Sequence, residues 1–351
     1  MRTTDAGGRE AGRREGGRPS IYDVAEVAGV SHQTVSRVLN GHSNIRESTR
    51  ERVQRAIEEV GYTRNSIARA LATSRTKRIG VLVDSAVEFG PGSTVRGVEA
   101  AARAAGYTVT TASVGEDARS GVGDGVEYLM TQGVEAMCVI APRSSSLAAL
   151  RESSPRVPTL VVAADAGDGI LSVSVDQRKG ASEAVQHLVD QGHTRIRHLA
   201  GPLDWLDARE RERAWRSTLE RAGLEIVEPG VGDWSSDAGY RYALESPDLG
   251  TGTAVFVAND QMALGVIHGL HDRGLRVPED VSVVGFDDLP DARHFLPPLT
   301  TVRQDFHALG ATILRLLVRA LERDGSVDGA TTPAELVVRE STAPPRGSTP
   351  D

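Results

Sequence analysis

The sequence predicts a small helical domain followed by an α/β core of two doubly wound parallel-sheet lobes, and three observations carry that prediction. Ile21 to Asn40, IYDVAEVAGVSHQTVSRVLN, has the apolar spacing of two short helices around a tight turn. From Arg78 onward, apolar strands alternate with amphipathic helices in two successive series. Charge is split as well: residues 1–78 hold 15 Arg or Lys against 9 Asp or Glu, so a chain of net charge −8 carries +6 at this end and −14 beyond it. The basic end suits phosphate contacts, and the acidic remainder does not.

A chain of 351 residues has room for two or three domains and a large core. Charged residues at 25% and aromatics at 4% are ordinary for a soluble protein. No apolar run is long enough to span a membrane. The start, MRTTDAGGREAGRREGGRPS, lacks the apolar stretch of a signal peptide, which points to the cytoplasm. The single Cys138 lies in the apolar run MCVI, excludes an intrachain disulfide and reads as core.

Residues 1–18, rich in Gly and Arg, read as a flexible arm, and residues 19–64 as a helix-turn-helix domain. Ile21, Val24, Ala25 and Ala28 form the apolar stripe of a first helix, and Gly29 makes the break. Ser31 stands where an N-cap belongs, and Val35, Val38 and Leu39 form the inner side of a second helix. That helix turns His32, Gln33, Ser36, Arg37 and Asn40 outward. Arg matches guanine O6 and N7, and Gln matches adenine N6 and N7, so this is the face of a recognition helix. Val53, Ala56, Ile57 and Val60 supply a third helix, with Arg46 in place of a capping hydroxyl. Residues 65–77 form a linker in which Asn65 can cap a helix, yet a helix of that length is too short to stand alone.

The core spans 78–340. Strands are predicted at 79–84, 107–112, 136–140 and 159–164, with helices at 93–105, 118–132 and 145–152. The second series places strands at 171–175, 195–199, 253–258 and 281–285, with helices at 178–191, 206–222, 235–246 and 259–274. Such sheets bind ligands beyond the carboxyl ends of their strands, and two facing lobes make a cleft. Residues 341–351, polar and Pro-rich, read as a disordered tail; without a leucine heptad there, a dimer is expected.

YDVAEVAGVSHQTVSRVLNG resembles the headpiece of the LacI–GalR family of bacterial repressors, and GDWS at 232–235, VANDQMALG at 257–265, GLRVPEDVSVVGFDD at 274–288 and PPLTTVRQDF at 297–306 extend the likeness over nearly the whole chain. The resemblance implies a periplasmic-binding-protein-like core, completed by a helix near 305–323 and a strand near 335–338. It implies a homodimer that binds double-stranded operator DNA and is released by a small sugar or glycoside. Tyr22, Ser31, His32, Gln33, Thr34, Ser36, Arg37, Asn40 and Asn65 are the DNA contacts it implies, with Leu71 wedged in the minor groove of a kinked duplex. Leu71 can also simply pack the linker onto the core.

Trp234, Arg209, Asn259 and Asp287 sit at or just beyond predicted strand ends, and their chemistry suits sugar hydroxyls and an apolar sugar face. Taken singly, Asn259 can be a helix cap and Arg209 part of a solvated helix face. The resemblance places all four, with Gln304 and Phe306, at effector-binding positions. It also marks departures: Ser144, preceded by Arg143, replaces an aspartate of the galactoside-binding branch, and Val161 replaces a phenylalanine. Asp84 stands at a small polar position and Glu88 at an apolar one, as if a carboxylate had moved across the cleft.

An enzyme is the competing reading. GVGDGVE at 121–127 lacks the spacing of a nucleotide loop, and GxxxxGK[ST] and GxSxG do not occur. His268, His271 and Asp272 lack further metal ligands in view, so no metal, cofactor or catalytic residue is expected. Two alternatives stay open: the same architecture with a non-sugar effector or a co-repressor, and a cytoplasmic sugar-binding protein without regulated DNA binding.

Overall fold

Asp23 starts the first helix, its carboxylate accepting from Ser20 N at 2.6 Å and Ser20 Oγ at 2.8 Å. Helix α1 (Ile21–Ala28) ends at Gly29, whose φ of 61° lies in the left-handed region that glycine enters without strain. Ser31 Oγ accepts from Thr34 N at 3.2 Å and so caps α2 (His32–Leu39) as its sequence position predicts. Helix α3 (Glu47–Val60) begins at Arg46 with no side-chain cap bond. Val24, Ala25, Ala28, Val35, Val38, Val53 and Ala56 form the shared core, with Ile57 and Val60 partly buried against it.

The structure is a computed structural model and describes residues 19–39, 41–42, 44–63, 75–85, 88–114, 118–141, 143–164, 166–167, 169–250, 252–322 and 327–346. The chain divides into two units, Met1–Arg75 and Thr76–Asp351. The expected arm at 1–18, most of the linker at 65–77, and Asn40, Asn65 and Leu71 lie outside the described residues.

In the second unit, β1 (Arg78–Asp84), β2 (Thr108–Val114), β3 (Ala136–Ile140), β4 (Thr159–Val162), β5 (Ser172–Val175) and β11 (Ala330–Thr332) form one sheet in the order β11-β5-β4-β3-β1-β2. All its pairings are parallel. Helices α4 (Phe89–Ala104), α5 (Ala118–Thr131), α6 (Ser144–Ser153) and α11 (Phe306–Leu321) belong to this lobe. The other lobe carries the parallel sheet β7-β6-β8-β9, from Gly230–Val231, Arg195–Ala200, Thr253–Val257 and Val281–Val284. Its helices are α7 (Gln177–Asp190), α8 (Leu206–Ala222), α9 (Ser236–Glu245) and α10 (Asp260–Asp272). An antiparallel ribbon of β10 (Thr301–Gln304) and β12 (Ala334–Val337) lies beside it.

Three sequence expectations need correction. The strand at 171–175 does not open the second lobe but pairs with β4 in the first, Val161 opposite Ser172. Strand order is a property of long-range pairing, which a linear pattern does not encode. The strand near 335–338 lies with the second lobe as expected, paired to β10, but β11, which the periodicity did not mark, joins the first sheet beside β5. The tail is docked rather than disordered as far as residue 346. Ser341 Oγ donates to Val283 O at 2.6 Å and accepts from Thr300 N at 2.7 Å, and Val283 N donates to Ser341 O. Ser341 is fully buried, so these bonds form away from water, where an unpaired group would be costly.

The chain passes between lobes at Asp176, Asp305 and Pro333. Each aspartate caps the helix that follows, accepting from Lys179 N at 2.9 Å and Ala308 N at 2.8 Å. The glycines of GVGDGVE lie within α5, where a Cβ on Gly121 would meet Val114 Cγ1 at 2.7 Å and one on Gly125 would meet Leu82 Cδ1 at 2.4 Å; these two serve helix-on-sheet packing. Among the described residues no helix is long and apolar enough to cross a membrane.

Candidate functional site

A cleft opens where the strand ends of both sheets meet. The first lobe contributes Glu88, Phe89 and Val162, the second contributes Trp205, Trp234 and Asn259, and Gln304 and Phe306 come from the returning segment. Two indole rings form one wall, Trp205 and Trp234, with centroids 5.2 Å apart and planes at 65°. Gly201 lets the Trp234 ring lie on the backbone, since a Cβ there would sit 2.1 Å from the ring. Trp234 has φ 72° and Asp287 has φ 111°, backbone conformations that side-chain-bearing residues rarely adopt and that surrounding structure must hold. Asn259 Nδ2 supplies part of that hold by donating to Trp234 O at 3.0 Å, while Asn259 Oδ1 caps α10 by accepting from Met262 N.

The polar floor is one network. Arg211 Nε donates to Gln177 Oε1 at 2.9 Å, and its Nη2 lies 3.7 Å from Asp287 Oδ1. Arg211 Nη1 donates to Ala258 O, and the guanidinium lies over the Phe286 ring at 3.8 Å. Gln177 Nε2 donates to Asp207 Oδ2 at 3.2 Å and Gln304 Oε1 at 3.0 Å; Gln304 Nε2 donates to Asp287 Oδ1 at 2.6 Å. Burial pushes the Asp287 carboxyl up to about 6, against the pull of Arg211 and Gln304. Burial also raises Asp207 against Arg211, and raises Glu88, where Asp233 adds to the effect and Arg143 opposes it. The cleft thus sets three carboxylates against one guanidinium, two of whose nitrogens already donate to Gln177 and Ala258. It suits a neutral ligand rich in hydroxyl donors and with an apolar face.

Of the residues that sequence reasoning assigned here, Trp234, Asn259, Asp287, Gln304 and Phe306 line the cleft. Arg209, Asp84 and Ser144 do not. Residues two apart on a helix point about 200° apart, and Arg211 is the one on the inner face of α8 with Ala208, Trp215 and Thr218. Arg209 instead donates to Ser144 Oγ at 3.4 Å. Asp84 is 2% exposed, enclosed by Arg143, Ser146 and Ser85. Arg211, Asp207, Gln177 and Trp205 were missed. An arginine on the apolar stripe of LDARERERAW was the available signal for the first.

On the first unit, the α2 face is open: His32, Gln33 and Arg37 are exposed, and Thr34 and Ser36 are partly so. Tyr22, 65% exposed, lies with its ring 5.1 Å from that of His32. Ser31 is committed to the cap, bonding Thr34 N and Thr34 Oγ1. His268 and His271 are exposed on α10, and among the described residues no three ligating side chains gather for a metal.

The model for bacterial regulatory proteins of the lacI family matches residues 20–65, and that for a periplasmic binding protein-like domain matches 185–342. The lactose operon repressor of Escherichia coli (strain K12) is 35% identical over 332 residues, 94% of this chain and 92% of that protein. The chain belongs to the LacI family. Family membership extends to the whole architecture. A crystal structure of the lac repressor dimer bound to operator and the anti-inducer ONPF superposes with TM-score 0.82 at 34% identity, covering 93% of this chain and 100% of that one. A complex of the transcriptional regulator CelR with cellobiose superposes with TM-score 0.68 at 32% identity, covering 92% and 100%.

Proposed function

We propose that this protein is a dimeric transcriptional repressor of sugar-utilisation genes, released from a pseudo-palindromic operator by a sugar or glycoside held in the cleft. The observation that carries the effector class is the pairing of an indole wall with an amide and carboxylate floor, the combination a pyranose needs on its flat face and its hydroxyl edge. Trp234, Asn259, Asp287, Gln304 and Phe306 act there together with Arg211, Asp207 and Trp205. His32, Gln33, Ser36, Arg37 and Asn40 face the bases, Tyr22, Ser31, Thr34 and Asn65 support the contact, and Leu71 enters the minor groove. The sugar acts by binding two lobe arrangements unequally, which requires a coupling of roughly 1–3 kcal/mol between sugar and operator.

Operators selected from random DNA, followed by gel shifts with a titrated panel of saccharides, test this reading. Sequence-dependent shifts relieved by one saccharide support it. A shift relieved only by a nucleobase or amino acid overturns the effector class, and absence of any sequence-dependent shift overturns the repressor.

A further inference from the structure

We propose that Arg143 is a positioning residue that clasps the two lobes and makes the aromatic wall of the cleft depend on their closure. The inference rests on the cleft being the effector site.

Arg143 stands at the N-cap position of α6, in the first lobe. Its Nη1 lies 2.8 Å from Asp84 Oδ1, and the other Asp84 oxygen accepts from Ser146 Oγ at 2.5 Å. Asp84 is only 2% exposed, and a carboxylate so buried holds its cation wherever the second lobe lies. The same guanidinium also reaches across. Its Nε lies 3.4 Å from Asp204 Oδ2, and its centre lies 5.4 Å from the Trp205 ring. Arg143 and Trp205 form an antiparallel backbone bridge, and Ser144 N donates to Asp204 O at 3.2 Å. Arg209 Nη1 adds a contact to Ser144 Oγ.

The two ends of the clasp differ in strength. Asp204 is 58% exposed in its side chain, so its ion pair is weak and easily exchanged for water, whereas the Asp84 pair is not. Arg143 therefore stays with the first lobe and makes or loses its second-lobe contacts as the cleft closes or opens. Trp205 is what it holds, and Trp205 packs edge-on against Trp234. A ligand stacking on this wall gains most when the clasp is made, so the clasp adds to effector affinity and leaves the DNA-reading face untouched.

Two measurements on the full-length dimer test this. The Ser144 amide bonds across the lobes, so its hydrogen exchange reads the clasp without any ligand. Asp204→Ala and Arg143→Lys should both speed its exchange while leaving the melting temperature near that of the parent, since the ammonium of the latter variant still neutralises Asp84. With lactose and cellobiose as probes, Asp204→Ala should weaken binding roughly 2- to 5-fold. Arg143→Ala should weaken it further, the double variant should be no worse than Arg143→Ala alone, and ligand-free operator affinity should hold or rise, because loosening the clasp shifts the lobes away from the arrangement the sugar favours. Unchanged Ser144 exchange, multiplying losses in the double variant, or a parallel fall in operator affinity would each overturn the clasp. If no saccharide binds, the effector reading fails, and the exchange measurement still decides the clasp.

Discussion

Arg211 and Asp287 face each other at 3.7 Å beneath the cleft, each side chain more than nine-tenths buried. A pair so enclosed is sustained by its surroundings: Gln177 and Ala258 O take the remaining guanidinium donors named above, and Gln304 holds the carboxylate. Arg211→Ala strands Asp287 and Asp207, and should cost about 3–5 kcal/mol of stability along with the effector response. Arg209→Ala should change stability by less than about 0.5 kcal/mol. Denaturant titration of both variants checks this, and equal losses would show that the two arginines are not distinguished by their helix faces.

Asp287 links this site to pH. Its carboxyl rises from 3.8 to about 6 on folding. Between those values the folded chain holds a proton that the unfolded chain has released, so this group favours folding at low pH, and that advantage is lost as pH rises through about 6. Its size is on the order of 3 kcal/mol. Asp287→Asn should flatten the stability profile between pH 4 and 7 by that amount, measured by urea unfolding; an unaltered slope counts against it.

The recognition helix predicts base-specific effects. Arg37→Ala should cost roughly 1–3 kcal/mol and relax preference at one base pair. Uniform weakening across operator variants would mark Arg37 as a phosphate contact instead. His32, against which Tyr22 packs, is exposed on the same face and should contribute to base readout. Operator selection with His32→Tyr should therefore shift the preferred half-site, and an identical site would remove His32 from the readout.

The docked tail gives a stability prediction. Truncation after Arg346 should leave the melting temperature unchanged. Truncation after Glu340 removes the buried Ser341 bonds and should lower it by about 5–10 °C. Equal melting temperatures would show those bonds to be dispensable.

Sequence alone determined what depends on local periodicity. The helices of the headpiece, their cap at Ser31 and break at Gly29, the outward set on α2 and most strands and helices of both lobes follow from spacings of 3.6 and 2 residues, which each segment carries within itself. Trp234, Asn259 and Asp287 were legible because they follow strand ends, which in such sheets face ligands, whereas Gln304 and Phe306 were legible only through the family resemblance. Tertiary structure alone decided what depends on partners distant in the chain. Long-range pairing assigned β5 to the first lobe and fastened Ser341 beneath β9. The contact of Arg143 with Asp204 and Trp205 joins positions about sixty residues apart. No local pattern records such meetings, because the free energy that selects them is released only when both lobes are built and water has left the space between them.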